Sequence, residues 1–149
     1  MNITKTFKAV ITLILISVST GALAAKQCQE IGGMGLAETI DETHLVAALS
    51  GDMAGANAKI INQKKTKTGL ILDMEHNFIS NKNGLLQTKD KAVLTKVLGK
   101  ESTYMLEINY TIVDSRGIYK DYRGEFHSFG LIKLDEGKVI LRYKGEICK

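Results

Sequence analysis

The pentapeptide Tyr122-Arg123-Gly124-Glu125-Phe126 recurs as Tyr143-Lys144-Gly145-Glu146-Ile147, and Cys148 follows the second copy directly. Side chains of a β-strand alternate between two faces, so each copy sets Tyr, Gly and Phe or Ile on one face and the basic residue and Glu on the other. A face that mixes large apolar residues with glycine belongs to a closed or stacked β-architecture whose walls crowd or bend. The same period of two runs through Tyr104 to Val113, with Tyr104, Leu106, Ile108, Tyr110 and Ile112 on one face. It runs again through Leu70 to Ile79, where Leu70, Leu72, Met74, His76 and Phe78 share a face. Lys138 to Ile147 closes the series, with Val139, Leu141 and Tyr143 together.

Turn signals separate these runs. Asn83-Gly84 is a strong hairpin pair leading into Leu85 to Thr88, and Asp135-Glu136-Gly137 is a short hairpin loop with Gly at its left-handed position. Asp114-Ser115-Arg116-Gly117 reads as a turn, after which Ile118 opens a strand that bends at Gly124 and resumes from Glu125 to Leu134. The expected fold is all-β: a single antiparallel barrel or barrel-like sandwich with its strands in meander order. Two segments stay open. Thr39-Ile40-Asp41-Glu42 has the form of a capping box before a helix from Asp41 to Leu49 with Gly51 as its stop, yet Thr43 to Leu49 also reads as a strand preceding Ala56 to Gln63. Local propensity likewise gives Lys91 to Leu98 one or two helical turns ending at Gly99.

The N-terminus reads as a secretory signal: Lys5 and Lys8, then the apolar run Ala9 to Val18, then Ala22-Leu23-Ala24 as a small-residue cleavage site. Cleavage before Ala25 makes residues 1–24 the signal and residues 25–149 one barrel domain, exported to the periplasm or beyond the cell. The apolar run is far short of the roughly 20 residues a spanning helix needs, so no membrane span remains after cleavage. Cys28 follows Ala25-Lys26-Gln27 rather than the cleavage site, which argues against a lipoprotein anchor. The signal takes two lysines and no acid, lowering the formal net charge of +4 by two and with it any case for nucleic acid. Lys64, Lys65 and Lys67 form the one dense basic cluster and read as a solvated loop. Cys28 and Cys148 bracket the mature domain, and an even pair so placed in an exported chain reads as a disulfide. The loop of about 120 residues it closes is worth roughly 4–5 kcal/mol in the chain-entropy picture.

Several stretches together resemble a group of small exported bacterial proteins similar to the allene oxide cyclase and dirigent barrels. They are Gly84-Leu85-Leu86-Gln87-Thr88-Lys89-Asp90-Lys91-Ala92-Val93-Leu94, Ile112 through Gly117-Ile118-Tyr119 to Gly124, Gly130-Leu131-Ile132-Lys133-Leu134, Gly137, and Arg142 to Cys148. A turn glycine, an aromatic two residues on and a second glycine about five residues later mark a strand pair in that group. The usual double-glycine turn is Asp114-Ser115-Arg116-Gly117 here. The resemblance covers roughly residues 53–148 and implies an eight-stranded antiparallel barrel, a strand rather than a helix at Thr43 to Leu49, and a trimer. It carries over no catalytic residue.

Candidate functional residues are sparse. His44, His76 and His127 lie far apart without metal-ligand spacing, and neither a metal site nor a cofactor motif can be assembled from them. His76 stands out on an apolar face; His127 alternates with Glu125 and points outward, opposite Ser128, so those neighbours form no dyad. His76, Tyr110, Tyr122 and Tyr143 are polar-tipped side chains on inward apolar faces, where they need mutual hydrogen bonds or a guest. They are the candidate ligand-binding residues, and the expected guest is a small hydrophobic molecule. An eight-stranded barrel can equally be filled by its own side chains. Phe129, Leu131 and Ile140 fall on the outward face, which calls for a subunit interface or for docking of the segment before Met53. Two functions remain open: a non-catalytic barrel that binds a hydrophobic ligand or an envelope or host partner, or a cyclase- or isomerase-like enzyme acting on a small hydrophobic substrate.

Overall fold

The computed structural model describes residues 26–149, and the segment expected to be a signal peptide, residues 1–24, lies outside the described residues. Eight strands follow in order: β1 (Cys28–Thr39), β2 (His44–Leu49), β3 (Gly55–Lys65), β4 (Gly69–Ile79), β5 (Gly84–Lys96), β6 (Thr103–Gly117), β7 (Arg123–Lys133) and β8 (Lys138–Cys148). Each pairs antiparallel with the next, and β8 returns to β1, so the meander closes into a barrel. The closing seam runs from Cys28 opposite Cys148 to Glu38 opposite Lys138. The Cys28–Cys148 disulfide fastens that seam at a directly paired position, with Cα atoms 4.0 Å apart.

The segment left open at residues 41–49 is the strand that the resemblance implies, and the helical turns that propensity gives Lys91 to Leu98 give way to a strand through Lys96. At residues 41–49 Asp41, not the Thr39–Glu42 pair, organises the backbone, and it shapes a hairpin turn: Asp41 Oδ1 accepts the backbone N–H groups of Thr43 at 2.7 Å and His44 at 2.8 Å. Ile40 N–H bonds back to the His44 carbonyl, and β2 starts at once. Residues 91–96 continue β5, because Ala92 and Leu94 fill inward positions beside Leu72 and Ile108 while Lys91 and Val93 face out. Tertiary pairing overrides local propensity in both places. The expected turn at Asp114–Gly117 is instead the end of β6, paired with Gly84–Gln87 of β5. A bulge at Val113 flips the alternation, turning Ser115 inward, and the chain reverses at residues 118–122. No flip occurs at Gly124: Tyr122, Phe126, Ser128 and Ile132 all point in.

The two ends of the barrel differ. Loops 40–43, 66–68, 97–102 and 134–137 surround one end, the mouth; loops 50–54, 80–83 and 118–122, the start of β1 and the end of β8 gather at the other. Strand β2 is short and pairs with β1 only from Gly35 to Thr39. Residues 50–54 cover the rest of β1, with Ser50 N–H bonding to Met34 O, Asp52 N–H to Gly32 O, and Gly32 N–H to Asp52 Oδ2 at 2.8 Å. This segment drops Met53, fully buried, into the barrel as a plug, in the same buried core as Ile31, Tyr119, Tyr122 and Ile147. The segment before Met53 is therefore wall and plug, not a cover for the outer face. Charged residues such as Lys59, Glu75, Lys89, Lys91 and Glu107 are exposed on the outside, while the inside is apolar. That is the inverse of an outer-membrane barrel, whose lipid face is apolar. No helix among the described residues is long and apolar enough to cross a membrane.

Candidate functional site: a cavity open at one end

Behind the mouth the interior is hollow. A cavity of about 460 Å³ runs from the exposed rim residues Asp41 and Glu42 inward to His76, Phe78 and Tyr110. Its walls are aliphatic, including Leu45, Leu70, Leu94, Leu106, Ile132 and Val139. These are inward positions of strands whose alternation places Leu, Ile or Val there, and they stay unpaired because no side chain plugs this end as Met53 plugs the other. Among the described residues no Lys or Arg lines the cavity, while Asp41 and Glu42 do. Hydrogen bonds from the Thr43 backbone and then from His44 hold Asp41 down to about 2, so its rim position is anionic at any ordinary pH.

An aromatic layer forms the floor. The Tyr110 and Phe126 rings stack with centroids 4.5 Å apart, and Phe78 meets both edge-on at 5.1 and 5.2 Å. His76 stacks on Phe78 at 5.4 Å and meets Tyr110 edge-on at 5.1 Å. The His76 Nδ1–H donates to Asp90 Oδ2 at 2.6 Å, and the Asp90 side chain is completely buried. That bond fixes the ring tautomer and leaves Nε2, without a partner among the described residues, on the side chain that lines the cavity. Asp90 Oδ1 and its neighbour Thr88 Oγ1 are buried without partners. Tyr110 shares a 2.8 Å hydrogen bond with the buried Ser128 hydroxyl, and burial pushes its phenol well above its ordinary range. A buried aspartate that orients a histidine of the cavity lining, with its second ring nitrogen unpartnered among the described residues, can bind a polar atom or take and return a proton.

The structure brings three of the four candidate residues to one cavity: His76, Tyr110 and Tyr143 line it. Tyr143 also ties the plug, donating to the Ser50 carbonyl at 2.8 Å and accepting the Met53 N–H at 2.9 Å. Tyr122 lies at the closed end, facing the Tyr119 ring at 6.3 Å, with its carbonyl accepting from Ser115 and Arg123. Asp90 and Ser128 back the lining residues His76 and Tyr110 from behind, Thr88 is buried on the same strand face as Asp90, and none of the three was among the candidates. Continuing the alternation of Leu86 and Thr88 by two residues would have found Asp90. His44 sits at the mouth, its Nδ1 3.0 Å from Asp41. His127 faces outward and is half-buried. Among the described residues the one His/Cys/Asp/Glu group tight enough for a metal is Cys28, Glu146 and Cys148, and the disulfide consumes both thiols.

Outside, Phe129, Leu131 and Ile140 are exposed as expected. The register aligns Leu36, Ile140, Leu131 and Met105 as successive cross-strand partners on β1, β8, β7 and β6. All four are about half exposed or more, which makes an apolar belt across four strands.

Comparison of the chain with family models, with curated proteins and with solved structures finds no match.

Proposed function

We propose that this chain is an exported, non-catalytic β-barrel protein, periplasmic or extracellular, that holds a small hydrophobic ligand inside its open half. The cavity carries the reading: its volume falls in the range of small-molecule sites, its walls are aliphatic, and a few polar groups converge at its floor. Asp41 and Glu42 at the cavity's edge, with no lining cation among the described residues, disfavour an anionic guest, and the aliphatic walls favour an uncharged one, with a polar atom on His76 Nε2 and its apolar part against the walls. The resemblance to allene oxide cyclase and dirigent barrels belongs to the same proposal, as does self-association. The belt of Leu36, Ile140, Leu131 and Met105 is fringed by Glu38, Lys133, Glu136 and Lys138, a mixture of signs that a second copy of the chain complements. Native mass spectrometry of the protein purified from its own host is the test. A bound mass that leaves on denaturation supports the reading, and a clean apo mass removes its support. Leu131→Glu should shift the sedimentation coefficient to that of the monomer; an unchanged value would rule out the belt as the subunit contact.

The His76–Asp90 pair favours a second reading, a cyclase- or isomerase-like enzyme. Nε2 would take a proton from a carbon beside a carbonyl and return it to another position, with Asp90 steadying the charged ring. Incubating the bound molecule with protein in deuterated water separates the readings: deuterium incorporation that His76→Gln abolishes indicates the enzyme.

A further inference from the structure

The mouth carries two features that a closed, soluble cup has no need of. Leu98, at the tip of the loop between β5 and β6, is 95% exposed, more than any other large apolar side chain described. Lys96 and Lys100 flank it, and Ile40 and Leu134 stand exposed on two further loops of the same end. The adjacent loop, between β3 and β4, brings Lys64, Lys65 and Lys67 to the same side. None of these five lysines lies within ion-pair distance of a carboxylate among the described residues, whereas Lys133 and Lys138, farther round the rim, are both paired to Glu136. The mouth is thus polarised. Its β3–β4 and β5–β6 side is basic with an apolar tip, and the opposite side holds Asp41, Glu42, Asp135 and Glu136. Glu101 is the one acid on the basic side.

We propose that the basic side of the mouth docks on an anionic lipid bilayer, with Leu98 entering the headgroup layer. An exposed apolar side chain between lysines is the pattern of a peripheral membrane contact: the apolar tip gains by leaving water, and unpaired lysines gain from the surface potential of anionic lipids. A polyanion such as nucleic acid would use the lysines and leave Leu98 in water, so the leucine decides between these partners. The acids opposite tilt the barrel, resting it on the β3–β4 and β5–β6 loops. The cavity opens at this same end, so docking would let an apolar guest pass between bilayer and barrel without crossing open water.

Co-sedimentation of the disulfide-bonded protein with vesicles tests this directly, comparing phosphatidylcholine alone with phosphatidylcholine mixed with phosphatidylglycerol. Binding is expected to the anionic vesicles only and to weaken as salt rises. Replacing Lys64, Lys65 and Lys67 with Gln should weaken it by at least about tenfold, and Leu98→Ser by roughly tenfold. Every one of these side chains is exposed, so the melting temperature should not move. No binding to anionic vesicles, equal binding to neutral ones, or binding that ignores Leu98→Ser would each overturn the proposal, the last pointing to a polyanion.

Discussion

At the scale of single residues, the floor of the cavity is a set of polar atoms that burial makes expensive to disturb. If a guest bonds to it, His76→Ala or Tyr110→Phe should weaken binding by about 1–2 kcal/mol per lost hydrogen bond while the fold survives; titration calorimetry with the host-derived ligand reads the change. The tyrosines make a second expectation that needs no ligand. Burial, first among the causes, raises the phenols of Tyr110, Tyr119 and Tyr143 above their ordinary value of 10.0. In the unfolded chain they ionise near pH 10, so above that pH the native state binds more protons than the unfolded one. Their contribution is complete below the unfolded value and is lost as pH rises towards the folded ones. From neutral pH upward, thermal melts should therefore be flat to about pH 9.5 and fall steeply beyond pH 10, and a flat profile to higher pH would contradict the burial of these rings. Much of this floor was legible: period-two alternation alone set His76, Tyr110 and Tyr143 inward. Asp90 was not, because Lys89-Asp90-Lys91 has the composition of a solvated run, and only a strand continuing past Thr88 turns its middle residue inward.

At the scale of elements, strands with β-branched or aromatic residues at every second position could be read, and the glycine-rich one could not. Strand β1 carries Gly32, Gly33 and Gly35, residues that weaken a strand by propensity, and only its pairing with β8 makes it one. Gly33 shows why the glycines are there. A Cβ at this position would lie 2.7 Å from the Tyr143 hydroxyl and collide with the Ser50 carbonyl, the two groups whose hydrogen bond anchors the plug. Gly33→Val should therefore lower the midpoint of denaturant unfolding markedly, whereas Gly99→Ala, in open space at the mouth, should cost only the strain of its left-handed backbone. Equal losses from the two would mean that the plug is not held as described. Strand ends were misread where a bulge intervened, at Val113, because one extra residue leaves no mark in the hydrophobic pattern that turn residues do not also leave.

At the scale of the whole molecule, closure depends on a single seam between the first strand and the last, whose cysteines stand 120 positions apart in the chain. Replacing Cys28 and Cys148 with Ser should lower unfolding stability by roughly 4–5 kcal/mol in the loop-entropy picture, measured by denaturant titration; a loss near zero would mean that the reduced chain keeps its ends together without the bridge. The same bridge decides how the protein answers to force. The two ends of the domain leave the barrel side by side, flanked by the paired Gln27 and Lys149. A pull on them therefore loads the sulfur–sulfur bond and leaves every ladder slack. Oxidised, the barrel should yield almost no length between optical traps. Reduced, it should unzip from the seam inward and release on the order of 400 Å of chain, at about 3.4 Å per residue.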